Sequence, residues 1–323
     1  MLGRLGLRLA VAGITWTLLA PRSFVLRGSR AQTRRHTARM AEFGGGESGP
    51  RMAKDAAYAE AVQAAWQADP ALKGAGPFSV EPLLYQDEAG RARLHGRVVR
   101  ARSGSNGAGV VVIHTAVGPR DLYLHWRAEV LAAQGYTVLI ADLLGDEHGD
   151  GWEPEWNSRA RQPLDDRALS RKRMRASVEA LAATPGVDHK RIAAMGYCFG
   201  GRTVLDLARL GSSAGIVAAV SFHGILDDGV IASEDMSSPD APRVLICHGD
   251  ADPFISAASR AACEAQLRGA NARWDMLVLG GVRHGFTNPA QALNPNPSFG
   301  YCPRAAAVSW RAAEELLAEM LKP

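Results

Sequence analysis

The stretch Gly196-Tyr197-Cys198-Phe199-Gly200-Gly201 puts a thiol two residues from glycine on either side. Between a strand and a helix, Gly-x-Cys-x-Gly is the thiol form of a nucleophile elbow, in which small flanking residues let strand and helix approach across a strained turn. A cysteine raised there sits at a helix N-terminus, which favours thiolate. The backbone N–H of Phe199 can then face a developing oxyanion. Such a nucleophile needs a histidine to take its proton and a carboxylate to orient that histidine. Two later apolar runs end in those residue types: Asp250 and Asp252 follow RVLICHG, and His284 follows WDMLVLGGVR. Asp252 lies further from its run and is fixed by Pro253, so it is the expected acid, with Asp250 a turn residue. The expected catalytic set is Cys198, Asp252 and His284.

Other readings of the same stretch stand beside this one. Gly196 to Thr203 also fits Gly-x-x-x-x-Gly followed by Arg-Thr, a phosphate loop with arginine in place of lysine. A buried structural cysteine in a glycine-rich bend is the third reading. Cys247, Cys263 and Cys302 fall within a strand run, within a helical run and at a helix start, and are expected to pack inertly. His223 in SFHG is expected to hold loops together, with a secondary place near the substrate pocket; His248 is expected to be structural. The acidic run GDEHGDGWEPEW (145–156) has no metal-ligand spacing and reads as a loop over the cleft, with Trp152 and Trp156 as pocket walls. Neither a metal nor a cofactor is expected.

The elements that must carry these groups are short β-branched apolar runs alternating with helical patterns. The runs cover 110–115, 137–144, 191–197, 216–224, 243–249 and 274–281. Ahead of them, VEPLLYQDEAGRARLHGRVVRA predicts a β-hairpin turning at Asp87 to Gly90. A hairpin followed by six βα units makes an eight-stranded, mostly parallel sheet with helices on both faces. In such a sheet ligands sit outside the carboxyl ends of the strands, where Cys198, Asp252 and His284 fall. Residues 53–323 are expected to form one α/β domain, opening with an alanine-rich helix. Residues 1–52 are expected to be a targeting leader and a Gly-rich linker, disordered or removed.

The leader explains the basic pI of about 9.0. Residues 1–40 hold eight arginines and no acidic residue, whereas residues 41–323 carry 29 Lys and Arg against 33 Asp and Glu. A net charge of about −4 in the body of the chain leaves no basic patch for nucleic acid. The apolar run Leu9–Ala20 is too short for a membrane span, which needs about 20 apolar residues. With its Arg-rich continuation it predicts import into an organelle, a plastid or a mitochondrion; a cytoplasmic or secreted protein is the alternative. The four cysteines have no regular spacing and are expected to be free thiols.

At this point the residues carry a resemblance. GYCFGG, HGDADPFI and RHGFTNP resemble the cysteine elbow, acid loop and histidine loop of the dienelactone hydrolase family, and SFHG and YCPRAAAVSW resemble segments of a bacterial-type branch of it. The similarity spans about residues 80–322. It implies the α/β-hydrolase fold, Cys198 as nucleophile, Asp252 as acid, His284 as base, and the backbone of Ala116 in IHTAVG as the second oxyanion donor. Members acting on dienelactone have a glutamate where this chain has Thr115, and substrate-holding arginines whose nearest counterparts here are Asp146 and Asn288. A neutral Thr115 leaves Cys198 able to rest as thiolate beside a protonated His284. Without those arginines, Arg202 or Arg283 would have to hold an anionic lactone.

The expected activity is cofactor-free hydrolysis of small esters, lactones or thioesters through an S-acyl enzyme, like a carboxymethylenebutenolidase. The expected partner is the small-molecule substrate alone, with the protein a monomer or homodimer. The alternatives are a non-catalytic binding module on the same fold and the phosphate-loop nucleotide binder.

Overall fold

The computed structural model describes residues 56–87, 90, 92–102, 104–145, 166–226 and 235–323. Helix α1 (Ala56–Ala68) precedes the hairpin of β1 (Phe78–Gln86) and β2 (Arg93–Ala101). Then come β3 (Gly109–Ile113), α2 (Leu122–Ala133), β4 (Thr137–Ala141), α3 (Arg167–Ala182), β5 (Ile192–Tyr197) and α4 (Phe199–Ala208). The chain continues through β6 (Ala218–Phe222), β7 (Arg243–Gly249), α5 (Ala257–Gly269), β8 (Trp274–Leu279) and α6 (Pro303–Met320). One eight-stranded sheet has the order β1-β2-β4-β3-β5-β6-β7-β8. Strands β3 to β8 run parallel, and β1 and β2 are antiparallel additions at one edge. This is the eight-stranded, mostly parallel sheet that the alternating runs predict, in the α/β-hydrolase arrangement that the resemblance implies.

Alternation along the strands divides the core. Val110 and Val112 of β3 enter a cluster with Tyr58, Tyr123, Trp126 and Leu317, on the face covered by α1, α2 and α6. Val111 and Ile113 enter a second cluster with Met174, Leu205 and Leu267, on the face covered by α3, α4 and α5. β3 is buried on both faces, which is why it reads as an unbroken apolar run. Each fully buried valine there contributes about 1.5–3 kcal/mol. Local signals start the helices: the side chains of Asp121, Asp166 and Ser256 accept from the backbone N–H of Tyr123, Leu169 and Ser259 at 3.0–3.1 Å.

Strand order reverses at β3, since the chain goes first to β4 on one side and then to β5 on the other. The carboxyl ends of β3 and β5 therefore flank a crevice, the usual place for a ligand in such a sheet.

Candidate active site

A single residue, Cys198, joins β5 to α4. Its φ of 56° and ψ of −113° are rare for a residue with a side chain, and the surrounding packing enforces them. A Cβ at Gly196 would lie 2.3 Å from the carbonyl carbon and oxygen of Gly200, and one at Gly200 would lie 2.6 Å from the carbonyl oxygen of Ile113. At Gly201 it would meet Ser221 Oγ at 2.7 Å. These glycines let α4 begin directly on the sheet. Cys198 N–H donates to the Phe222 carbonyl (3.0 Å), and its own carbonyl accepts from Arg202 N–H (3.1 Å). A one-residue connection leaves no loop to wrap a phosphate, which removes the basis of the phosphate-loop reading. Cys198 is partly exposed, whereas Cys247 and Cys263 are buried, and burial pushes the Cys247 thiol up to about 12.

Asp252 and His284 meet at the ends of β7 and β8. His284 Nδ1 lies 2.6 Å from Asp252 Oδ2, with both side chains almost fully buried. Asp252 Oδ1 accepts from Phe254 N–H at 3.0 Å, fixing the carboxylate plane. Asp250 instead turns outward towards Arg260 at 3.5 Å. The rings of Phe254, His223 and Phe299 stand nearly edge-on around His284, with centroids 5.1–5.3 Å away. His284 Nε2 has no hydrogen-bond partner among the described residues. Burial opposes charge on this imidazole, but the neighbouring Cys198 and then the Asp252 hydrogen bond and charge outweigh it, raising its pKa to about 10.

Supporting residues surround the pair. His223, with φ of 39°, shares a 3.0 Å hydrogen bond through Nε2 with Thr287 Oγ1, tying the end of β6 to the loop after His284. Burial, then the charge of His284, holds the His223 pKa well below the ordinary histidine value. His248 is buried, and its burial likewise lowers its pKa. Thr115 Oγ1 accepts from Val117 N–H at 3.1 Å, within its own turn. Arg202 is buried in the first turn of α4, over the Phe199 ring. Arg283 is exposed, donates to the Pro297 carbonyl at 3.0 Å and lies against Gly300. Asp146, Trp152 and Trp156 lie outside the described residues.

Asn288 has a structural post that spacing alone does not reveal. Its Oδ1 accepts from Ala290 N–H (3.0 Å), and its Nδ2 donates to the Tyr58 hydroxyl (2.7 Å). Tyr58 belongs to α1 and donates in turn to Asp121 at 3.4 Å. Burial raises the Asp121 carboxyl to about 6. The alanine-rich helix ahead of the hairpin therefore braces the loop that carries His284.

With this geometry in view, the family model described as the dienelactone hydrolase family matches residues 94–321. The chain belongs to the dienelactone hydrolase family. It is a hydrolase of that family with the family's fold. A solved dienelactone hydrolase-like promiscuous phosphotriesterase, P91 from metagenomic libraries, is 33% identical with a TM-score of 0.67, over 76% of this chain and 100% of that one. The structure titled m3DLH is likewise 33% identical, at a TM-score of 0.66 and the same coverage. An uncharacterized protein of Caenorhabditis elegans is 34% identical over 147 residues, 46% of this chain and 91% of that protein. Thermogutta terrifontis esterase 2, at 19% identity and a TM-score of 0.53, shares the fold. Among the described residues, no helix is long and apolar enough to cross a membrane. Nor do three or more His, Cys, Asp or Glu residues among them gather into a metal-binding group.

Proposed function

We propose that the protein hydrolyses small neutral esters, lactones or thioesters through an S-acyl intermediate on Cys198. The observation that carries this reading is the buried 2.6 Å Asp252–His284 pair, with Cys198, on a strained turn, as the neighbour that most favours charge on the imidazole. Cys198 thiolate attacks the carbonyl carbon, and the C=O π pair moves onto oxygen, where the amides of Phe199 and Ala116 receive it. His284 gives its proton to the leaving oxygen or sulfur as that bond breaks. Acylation removes the negative charge from Cys198, the largest influence holding His284 protonated, so burial then favours the neutral imidazole. Neutral His284 takes a proton from water, hydroxide attacks the thioester, and thiolate leaves. Asp252 holds the ring through both half-reactions.

Neutral substrates are favoured because Asn288 is committed to Tyr58 and Ala290, and Arg283 to the 297–300 loop. Dienelactone, an anion, lacks those two as counter-ions. A second substrate class, aryl phosphotriesters, is supported by the name of the 33%-identical P91. There the thiolate would attack phosphorus and expel aryloxide, and water would then cleave the S–P bond. We read residues 53–323 as one catalytic domain, a monomer or homodimer, and the Arg-rich leader as an organellar import signal.

The test compares full-length wild type with Cys198→Ala on p-nitrophenyl acetate, dienelactone and p-nitrophenyl diethyl phosphate. Acetate turnover that falls to the uncatalysed rate in a folded Cys198→Ala supports the reading. Turnover that survives the substitution sinks it.

A further inference from the structure

We propose that His114, the last buried side chain of the strand run VVVIH, is a positioning residue that aims the second oxyanion donor; this rests on the thiol reading above. His114 is fully buried and packs its ring 5.7 Å from that of Phe199. Its Nδ1 lies 2.6 Å from the Thr115 carbonyl oxygen, and its Nε2 lies 3.3 Å from the backbone N–H of Leu143. A carbonyl oxygen can only accept and an amide can only donate, so the two partners assign one tautomer: Nδ1 carries the proton and Nε2 is bare.

The Thr115 carbonyl also accepts from Gly118 N–H at 3.2 Å, so two donors hold it on one side. The Thr115–Ala116 peptide is trans, because no described peptide bond is cis. In a planar trans peptide the C=O and the following N–H point in opposite directions. Clamping the Thr115 oxygen therefore turns the Ala116 N–H the other way, and that N–H has no hydrogen-bond partner among the described residues. Ala116 follows the carboxyl end of β3, which pairs with β5, the strand that delivers Cys198. The Gly200 backbone packs against the Ile113 and His114 carbonyls, bringing the first turn of α4 beside this loop. His114 thus sets the direction of one amide, while the start of α4 presents that of Phe199.

Two substitutions separate the two bonds of His114. In His114→Asn the side-chain amide occupies the Nδ1 position and can still donate to the Thr115 carbonyl, but nothing receives Leu143 N–H. In His114→Gln the amide reaches the Nε2 position and can accept from Leu143, but the Thr115 clamp is lost. Removing an oxyanion donor outright costs about 10²–10³ in rate, so misaiming one is expected to cost about 10- to 100-fold. On p-nitrophenyl acetate, His114→Gln should lose that factor in kcat with KM within about twofold, and His114→Asn should keep kcat within about threefold. The reverse order would mean that His114 merely pins Leu143, and would overturn the inference.

A readout on the wild type does not depend on a variant folding. An aldehyde adds to Cys198 as a hemithioacetal: the C–S bond forms, and the former carbonyl oxygen takes up the electron pair and a proton. Its oxygen should move the Ala116 amide proton downfield together with that of Phe199. An adduct that shifts Phe199 alone overturns the role of His114 while leaving the thiol chemistry standing. No Cys198-dependent adduct with either ester or aldehyde overturns both.

Discussion

Cys198 and His284 are electrostatic neighbours, yet they are held by different means. Around Cys198 the constraints are backbone against backbone: Gly196 against Gly200, and Gly200 against the carbonyls of Ile113 and His114. Around His284 they are side-chain hydrogen bonds reaching across the chain, from Asp252, from His223 to Thr287, and from Tyr58 to Asn288. The first design fails sterically when a methyl is added. The second loses one bond at a time, which lets the loops at the ends of β7 and β8 be tuned independently of the Cys198 turn.

The largest effect should come from Gly196→Ala. Its Cβ would overlap backbone rather than a flexible side chain, so we expect about 4 kcal/mol or more of destabilisation and loss of ester turnover. Urea denaturation checks this, and near-wild-type stability would contradict the steric account. Next is Asp252→Asn, expected to lower kcat about 10³- to 10⁴-fold with the fold retained. Asp250→Asn, on an exposed carboxylate 3.5 Å from Arg260, should change stability by less than about 0.5 kcal/mol and leave kcat unchanged. Steady-state kinetics on the pair separates the two aspartates.

Titration sharpens the contrast further. In wild type His284 should stay protonated until pH approaches about 10, and in Cys198→Ala its pKa should fall, because the largest charge-stabilising neighbour is gone. Since the folded value is raised above the ordinary 6.5, the stabilisation from this proton is complete below about pH 6.5 and lost as pH rises through about 10. Histidine NMR measures the first effect, and melting temperature against pH the second. A modest effect belongs to Tyr58→Phe, which removes a hydrogen bond from buried Asn288. We expect about 1–2 kcal/mol of lost stability and a loss in kcat of about threefold, with the mass of the acyl adduct unchanged.

The sheet was legible because its central strands are buried on both faces and read as apolar runs bounded by turn residues. The elbow was legible for the same kind of reason, since its glycines answer a local steric demand. The choice of Asp252 over Asp250 also follows local turn chemistry. Asn288 was not legible: the resemblance put it where relatives carry a substrate-holding arginine, but its partner Tyr58 stands 230 residues away on a helix before the family domain. Arg283 was weighed as a substrate cation, yet its guanidinium is drawn onto the Pro297 carbonyl by a fold of the chain that spacing does not encode. His114 carried a faint signal, a histidine closing an otherwise apolar strand whose burial demands hydrogen-bond partners.

The central claim is that Cys198 carries the acyl group. Full-length protein quenched during p-nitrophenyl acetate turnover and digested for mass mapping should show a gain of one acetyl on the peptide containing Cys198, decaying as substrate is exhausted. Turnover with that peptide unmodified throughout, or with the acetyl on another residue that turnover requires, would contradict the account.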